Sequence, residues 1–221
     1  MNDRTTLTPR QVEEEELGDW RMLFAAMHTR FTFRDFATGL RLVAAVGAAA
    51  EEADHHPDLD LRYGRLGVRL SSHDVHGVTA RDVRLARRIS GLAAEAGARP
   101  DPTAVQVLEI ALDTADHERV KPFWRAVLGL RDSPSYDEEL VDANGTLPTL
   151  WFQVTEEHEE PRQRFHLDIR VPPEVAPGRV RAALAAGGTL VSDAAAPTVW
   201  VLADADGNKA CVTTWQGRDG G

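Results

Sequence analysis

The spacing of apolar residues predicts alternating strands and helices in the first half of the chain. Residues 20–33 mix aromatic or apolar side chains with polar ones, which is typical of a hairpin or two short strands. Over 34–54 an apolar residue recurs every three or four positions, which predicts a helix that Pro57 ends; its apolar stripe consists of Phe36, Leu40, Val43, Val46 and Ala50. A strand over 61–71 follows, and then a helix whose apolar face carries Val83, Ala86, Ile89, Leu92 and Ala93.

Capping boxes mark two of the helix starts. Thr8 with Gln11, and Pro9 between them, predicts a short acidic helix near the beginning of the chain. Thr79 with Asp82 predicts the start of the last helix in this half.

The second half contains one order of elements twice: a strand, a helix and further strands. These elements are predicted at 105–112, 116–128, 150–155, 164–171, 175–186, 198–203 and 209–214. An offset of 57 residues superposes the first set on the second: Glu109, Leu112 and Thr114 on His166, Ile169 and Val171. This weak internal repeat indicates that one unit alone cannot bury the face of its sheet.

A stretch rich in proline and glycine separates the halves. Two prolines and Gly97 within 97–103 stop a helix and hold the chain extended. We therefore predict one domain over 1–98, a linker over 99–103 and a second domain over 104–221.

Composition and charge narrow the classes of function. The 221 residues include 25 basic and 35 acidic side chains, and the net charge of −10 disfavours a nucleic-acid partner. The longest run without a polar side chain, 42–50, is far shorter than the ~20 residues of a membrane span, so no membrane partner is expected. The single cysteine, Cys211, cannot form an internal disulfide, and we expect a cytoplasmic location.

Three histidines lie near predicted helix ends: His55, His56 and His73. The partial negative charge of a helix C-terminus, together with Glu51 and Asp54, favours the imidazolium form of the first two. This setting suits acid/base chemistry. A polar, solvated helix exit beside a carboxylate that only caps the next helix explains the same residues without any activity, so both interpretations stay open.

The histidines belong to a longer and more specific pattern of four motifs. In order along the chain these are Phe31-x-Phe33-x-Asp35-Phe36, Glu51-x-x-Asp54-His55-His56-Pro57, Ser71-Ser72-His73-Asp74 and Gly77-Val78-Thr79-x-Arg81-Asp82. Over about residues 8–97 this set resembles the pterin-4a-carbinolamine dehydratase family. The resemblance implies an α+β fold in which a four-stranded antiparallel sheet is backed by helices on one face. It also implies a pterin site between the loop after the long helix and the end of the next strand.

The resemblance assigns a role to each residue of this set. The active-site histidines become His55, His56 and His73. The residues expected to support or contact the substrate are Glu51, Asp54, Pro57, Ser71, Ser72 and Asp82. Leu59 and His76 depart from the family pattern, since an aromatic residue and a glycine are usual there.

The residue types suit the dehydration of a 4a-hydroxytetrahydropterin. The reaction needs a proton for the hydroxyl that leaves C4a and a base for the proton on N5, and it needs no metal or redox cofactor. Imidazole groups can serve both needs near neutral pH. We expect His55 and His73 to be the acid/base pair, with both at polar loop ends where truncation disturbs the fold little. Which one is the acid stays open.

The second half resembles a glyoxalase-like domain of the vicinal oxygen chelate superfamily, which pairs two βαβββ units. The segments that carry this resemblance are Phe123-Trp124-x-x-Val127-Leu128-Gly129-Leu130, Phe165-His166-Leu167-Asp168 and Asp204-x-Asp206-Gly207-Asn208. The metal positions of that superfamily correspond to Glu109, Gln153, His166 and Cys211, which become candidate pocket residues.

We expect no metal at these four positions. Glutamine is a poor ligand for a borderline ion, and this mixed set of residue types has no common catalytic precedent. The acidic run 156–160 resembles a metal site, but we interpret it as a solvated turn.

Three functions remain in competition. The leading one is a 4a-hydroxytetrahydrobiopterin dehydratase that acts on a small pterin and forms a homo-oligomer. The second is a noncatalytic protein that binds a pterin or a partner protein. The third is a metal-dependent enzyme that acts through the second domain.

Overall fold

A computed structural model of the chain describes residues 3–128, 130–156, 165–185, 187–203 and 209–217. The chain divides into two units. The first contains the residues up to Val105 together with Gly217, and the second runs from Gln106 to Gln216. Residues 157–160 of the predicted turn lie outside the described residues, as does the motif at 204–208. Within the described part of the chain, no helix has both the length and the apolar content that a membrane crossing requires.

The first unit consists of a small antiparallel sheet and three helices. Its elements are α1 (Pro9–Glu14), β1 (Arg21–Leu23), β2 (Ala26–Thr32), α2 (Phe36–Ala53), β3 (Asp58–Arg62), β4 (Arg65–Leu70), α3 (Ala80–Glu95) and β5 (Arg99–Pro100). The four main strands lie in the order β1-β2-β4-β3, and β5 pairs with β2. Side chains of α2 and α3 pack with those of β2 and β4 in one core, which includes Leu42, Val46, Ile89, Phe31 and Leu66.

The predicted helix starts are confirmed. Thr8 and Gln11 form the capping box of α1, with Pro9 in its first turn. Thr79 and Asp82 form the capping box of α3. These motifs are predictable because each depends on residues only three positions apart.

The predicted apolar stripe of α2 was wrong in part. Phe36 and Leu40 are 43% and 52% exposed, and the buried positions are Thr38, Gly39, Leu42, Val46, Ala49 and Ala50. Small residues explain the difference: a Cβ added at Gly39 would lie 2.5 Å from Phe33 Cζ and 2.7 Å from Leu61 Cδ1. The helix therefore packs through small residues as well as Leu42 and Val46, and a count of large apolar residues does not detect the small ones.

The single strand predicted over 61–71 is a hairpin instead. Strands β3 and β4 pair with Arg62 opposite Arg65, which leaves Tyr63 and Gly64 as a two-residue turn. Gly64 has φ 77°, a conformation that a side chain would strain. The turn brings Asp58 of β3 beside Arg69 of β4, where they form an ion pair at 2.7 Å.

The segment predicted as a linker packs on the first sheet. Arg99 and Pro100 lie opposite Thr32 and Phe31 of β2, and the Asp101 N–H donates to the Arg30 carbonyl oxygen at 2.7 Å. The first unit therefore extends past the proline-rich stretch.

The second unit is one sheet made of two similar halves. The first half comprises β6 (Val107–Thr114), α4 (His117–Leu128), β7 (Arg131–Asp132), β8 (Glu139–Val141) and β9 (Thr149–Val154). The second comprises β10 (Phe165–Arg170), α5 (Ala176–Ala185), β11 (Thr189–Ala195), β12 (Val199–Ala203) and β13 (Lys209–Thr213). The strand order is β11-β12-β13-β10-β6-β9-β8-β7.

The two halves have the same strand pairing. The first strand of each half pairs in parallel with the last strand of that half, β6 with β9 and β10 with β13. The halves meet where β6 and β10 pair antiparallel, with Glu109 opposite Asp168. This βαβββ arrangement confirms the predicted α+β fold class of the second half. Strands β7, β8 and β11 were not located from the sequence.

Truncation at two positions tests where the first unit ends. We expect 1–105 to unfold at a higher temperature than 1–98, because the longer fragment keeps β5 and the buried Val105. A decrease of about 1 kcal/mol in the free energy of unfolding would lower the melting temperature by about 4–8 °C in a unit of this size. Calorimetry of both fragments measures this difference, and equal melting temperatures would contradict it.

The histidine on β2 predicts a pH dependence of stability. Burial, with Arg69 nearby, lowers the pKa of His28 to about 4. The unfolded chain binds this proton near pH 6.5 and the folded chain does not, so the free energy of unfolding should fall as the pH drops from about 6.5 to 4. Urea unfolding of His28→Gln should show a weaker loss over this interval than the parent protein. The exposed His56→Gln variant is the control, and equal slopes for all three proteins would overturn the prediction.

Candidate functional site

A fully buried carboxylate lies at the centre of the histidine motifs. Asp82 is 0% exposed. Its Oδ2 accepts hydrogen bonds from Ser72 Oγ at 2.7 Å, from the Thr79 N–H at 2.7 Å and from Thr79 Oγ1 at 3.2 Å. Its Oδ1 lies 2.7 Å from His55 Nε2. One side chain thus connects the start of α3, the end of β4 and the segment after α2.

The end of α2 places His55 in this position. Asp54 takes the left-handed conformation, with φ 47° and ψ 43°, and its N–H donates to the last carbonyl oxygens of the helix. The His55 N–H donates to the Ala50 carbonyl oxygen at 3.1 Å. This cap reverses the chain and directs the imidazole inward, where the residue is only 7% exposed. His55 therefore lies at the start of the loop after α2, as expected, but it is buried there.

The contact with Asp82 determines which ring nitrogen of His55 is free. Because an ionised carboxylate only accepts hydrogen bonds, Nε2 carries the hydrogen of this contact. Nδ1 is then the nitrogen that can accept a proton.

The other predicted residues of this site are more exposed. His56 Nε2 lies 3.1 Å from Glu51 Oε1, and these side chains are 57% and 80% exposed. Asp54 is also exposed, and Pro57 is half-buried. The predicted carboxylates therefore differ in setting: Asp82 is buried in a network, whereas Glu51 forms a solvated pair.

The loop after β4 presents His73 to solvent. The Ser72 N–H donates to the Gly77 carbonyl oxygen at 2.8 Å, which closes the turn. His73 is exposed in that turn and forms no hydrogen bond or ion pair with the described residues, while Ser71 and Ser72 are buried. His76 has φ 51°, so it occupies the kind of position that glycine adopts without strain.

Leu59 is the other residue that departs from the family pattern. It is partly buried and packs against the core of the first unit.

A cavity of about 420 Å³ lies beside His55. It is lined by Ala49, Glu52, Ala53, His55, Arg81, Arg84, Leu85 and Arg88. The three arginines were not predicted as site residues, although their spacing of three and four positions along α3 could have indicated one face of the helix. Arg81 donates to Asp74 at 2.6 Å, and this bond lowers the pKa of the Asp74 carboxyl.

A second group of reactive side chains lies on the sheet of the second unit. One potential ligand atom from each of His166, Asp168 and Cys211 lies within 4.8 Å of the others. Asp168 on β10 is directly opposite Cys211 on β13. Burial, together with the negative charge of Asp168, raises the pKa of the Cys211 thiol to about 12.

The four metal positions implied by the resemblance do not converge. His166 and Cys211 belong to this group, but Glu109 does not, and Gln153 is exposed. Asp168 was not predicted. The alternation of a strand could have revealed it, because residues two apart project from the same face.

The buried network predicts that substitutions of Asp82 and Glu51 have very different effects on the free energy of unfolding. Asp82→Asn should lower the free energy of unfolding by about 3 kcal/mol or more, because it removes the acceptor of several buried hydrogen bonds. Glu51→Gln, which changes the exposed pair with His56, should lower it by less than about 1 kcal/mol. Urea unfolding of both variants measures the difference, and equal effects would show that Asp82 does not hold these segments together.

Comparison with known proteins assigns each unit to a family. The family model for pterin 4 alpha carbinolamine dehydratase matches residues 5–92, which include the whole Asp82 network. The model for a glyoxalase-like domain matches residues 109–213, which include His166, Asp168 and Cys211.

The similar proteins correspond to one unit each. A protein of Thermosynechococcus vestitus, provisionally named pterin-4-alpha-carbinolamine dehydratase, is 38% identical over 39% of this chain and 94% of its own length. The crystal structure of a transcriptional coactivator/pterin dehydratase from Brucella melitensis has 31% identity and a TM-score of 0.39, covering 40% of this chain and 99% of that one.

A solved member of the glyoxalase/bleomycin resistance protein/dioxygenase superfamily from Vibrio splendidus has 18% identity and a TM-score of 0.34, covering 50% of this chain and 99% of that one. Both resemblances inferred from the sequence are confirmed by the matched families. The chain therefore belongs to the pterin-4-alpha-carbinolamine dehydratase family, and a glyoxalase-like domain follows its dehydratase unit.

Proposed function

We propose that the first unit dehydrates a 4a-hydroxytetrahydropterin, such as 4a-hydroxytetrahydrobiopterin, to the quinonoid dihydropterin. The observation that carries this proposal is the buried pair of His55 and Asp82 beside a cavity. The pair lies within the segment that matches the dehydratase family.

The reaction is an elimination of water across the C4a–N5 bond. A base removes the proton from N5, and the electron pair of that N–H bond forms the C4a=N5 double bond. The C4a–O bond breaks, and an acid protonates the departing hydroxyl to give water. The substrate loses one proton and one hydroxide, so neither an oxidant nor a reductant takes part.

His55 suits the role of base. Its Nδ1 is free to accept a proton while Nε2 is bound to Asp82. The imidazolium that forms would be stabilised by that carboxylate, which lowers the energy of the proton-transfer step. Ser72 and Thr79, which also bind Asp82, hold the carboxylate in place and act as positioning residues.

His73 suits the role of acid. It is exposed on the turn after β4, so solvent can return its proton after each turnover. His56, paired with Glu51, is proposed to orient the substrate. Ser71 and Pro57 are the further residues that we propose as substrate contacts.

Paired substitutions of the two histidines test this assignment. His55→Gln and His73→Gln should each slow dehydration by ~10²–10⁴-fold. The double variant should lose little more than the worse single one, because two residues that act in one step are not additive. The readout is the rate of 4a-hydroxytetrahydropterin breakdown by purified full-length protein.

The controls separate chemistry from folding. His28→Gln at pH 7.5 should leave the rate unchanged, since His28 lies on β2 outside the motif. Because His55 is buried, a thermal melt must show that the His55→Gln variant is folded. The exposed His73→Gln variant should have the same melting temperature as the parent protein. Full dehydration by folded His55→Gln and His73→Gln would exclude this acid/base assignment. A parent protein that does not accelerate the breakdown above its uncatalysed rate would instead favour a noncatalytic pterin-binding role.

A further inference from the structure

The cavity beside His55 continues along the groove between α2 and α3. From α2 it takes the small side chains Ala49 and Ala53, and from α3 it takes a face that runs from Arg81 to Arg88. A helix rises about 1.5 Å per residue, so this face extends about 10 Å along the axis of α3. The cavity therefore has space beyond the proposed base for a further part of a ligand.

The cavity carries more positive than negative charge. Three guanidinium groups line it, those of Arg81, Arg84 and Arg88, against one carboxylate, that of Glu52. The chain as a whole has a net charge of −10, so this concentration of arginines is opposite in sign to the charge of the whole protein. A concave surface of this charge attracts anions.

The three arginines differ in how far other residues already occupy them. Arg81 donates to Asp74 at 2.6 Å. Arg84 donates to both carboxylate oxygens of Asp3, at 3.1 and 2.9 Å, and this pair is more than half exposed. Exposed pairs contribute little to stability, so an anionic ligand can displace Asp3. Arg88 is exposed and forms no hydrogen bond or ion pair with the described residues.

We propose that Arg84 and Arg88 bind an anionic group, a phosphate ester or a carboxylate, at the end of the C6 side chain of the pterin substrate. This inference rests on the proposed dehydratase function, because it places the ring of that substrate beside His55. Carbon C6 is bonded directly to N5, the atom from which the proposed base removes a proton. The side chain therefore starts next to His55 and can extend along the face of α3.

The geometry of the two arginines suits this role. Arg84 and Arg88 lie four positions apart on α3, so their side chains project from the same face of the helix and can reach one anion. A guanidinium group binds phosphate and carboxylate alike through paired N–H donors. Arg84 already binds a carboxylate in this way, that of Asp3.

Two substrates that differ only in a phosphate ester at the end of the C6 side chain test the site in the full-length protein. We expect kcat/KM to be about 10–100-fold higher for the phosphorylated 4a-hydroxytetrahydropterin than for the neutral one. The gain should appear in KM and not in kcat, because the anion is bound equally in the ground state and in the transition state. It should decrease as the salt concentration rises, since Arg84 and Arg88 are exposed.

A third substrate separates the two kinds of anion. It carries a carboxylate at the end of the C6 side chain in place of the phosphate ester. A preference for either anionic substrate over the neutral one supports the site, and the larger of the two preferences identifies the anion that it binds.

Opposite charge changes in the cavity should have opposite effects. Arg88→Gln should remove most of the preference for the anionic substrate, whereas Glu52→Gln should increase that preference. A loss of packing would not produce this pair of opposite changes. The matched control is Arg87→Gln, which removes the same charge from the same helix. Arg87 binds Glu15 and does not line the cavity, so its variant should keep the preference of the parent protein.

Binding measured without turnover separates this inference from the dehydratase proposal. Oxidised pterins are fluorescent and are not dehydrated, so titration with the neutral and the phosphorylated form gives both dissociation constants. If the neutral and anionic substrates are dehydrated equally well and both oxidised pterins bind equally, the anion site is wrong and the dehydratase proposal stands. If no substrate is dehydrated above its uncatalysed rate, but the phosphorylated pterin binds more tightly and Arg88→Gln removes the difference, the dehydratase proposal fails and the anion site stands.

Discussion

The dehydratase unit depends on one buried carboxylate. Asp82 completes the capping box of α3, accepts a hydrogen bond from the end of β4 and binds the imidazole that follows α2. Each hydrogen bond to a charged group contributes about 1.5–3 kcal/mol. The same interaction that starts a helix therefore also positions the proposed base, so fold stability and the proposed catalysis depend on a common group.

The second unit is organised differently. Its two halves are joined by the pairing of β6 with β10, and its reactive side chains project from neighbouring strands of the sheet. Position along a strand, and not a local cap, brings His166, Asp168 and Cys211 together. A change of register by one residue would move all three to the other face.

Local motifs were predictable from the sequence, while long-range packing was not. The capping box of Thr79 and Asp82 follows from residues three apart. The short distance from Asp82 to His55 follows only from the packing of α2 against α3, to which the family resemblance pointed without giving a contact. The stripe of α2 was misassigned because the close packing of Gly39 carries no hydrophobic signal. The hairpin at Gly64 was missed although the apolar alternation changes phase there, from Leu59 and Leu61 to Leu66, Val68 and Leu70.

Cys211 gives this chain an intrinsic reporter of conformational opening. Its thiol is buried, and with its pKa raised to about 12 almost no thiolate exists at neutral pH in the folded state. A thiol-reactive dye can therefore attack only when β13 separates from its neighbours. The first unit contains no cysteine, so the rate of labelling measures the opening of the glyoxalase-like unit alone, without any engineered label.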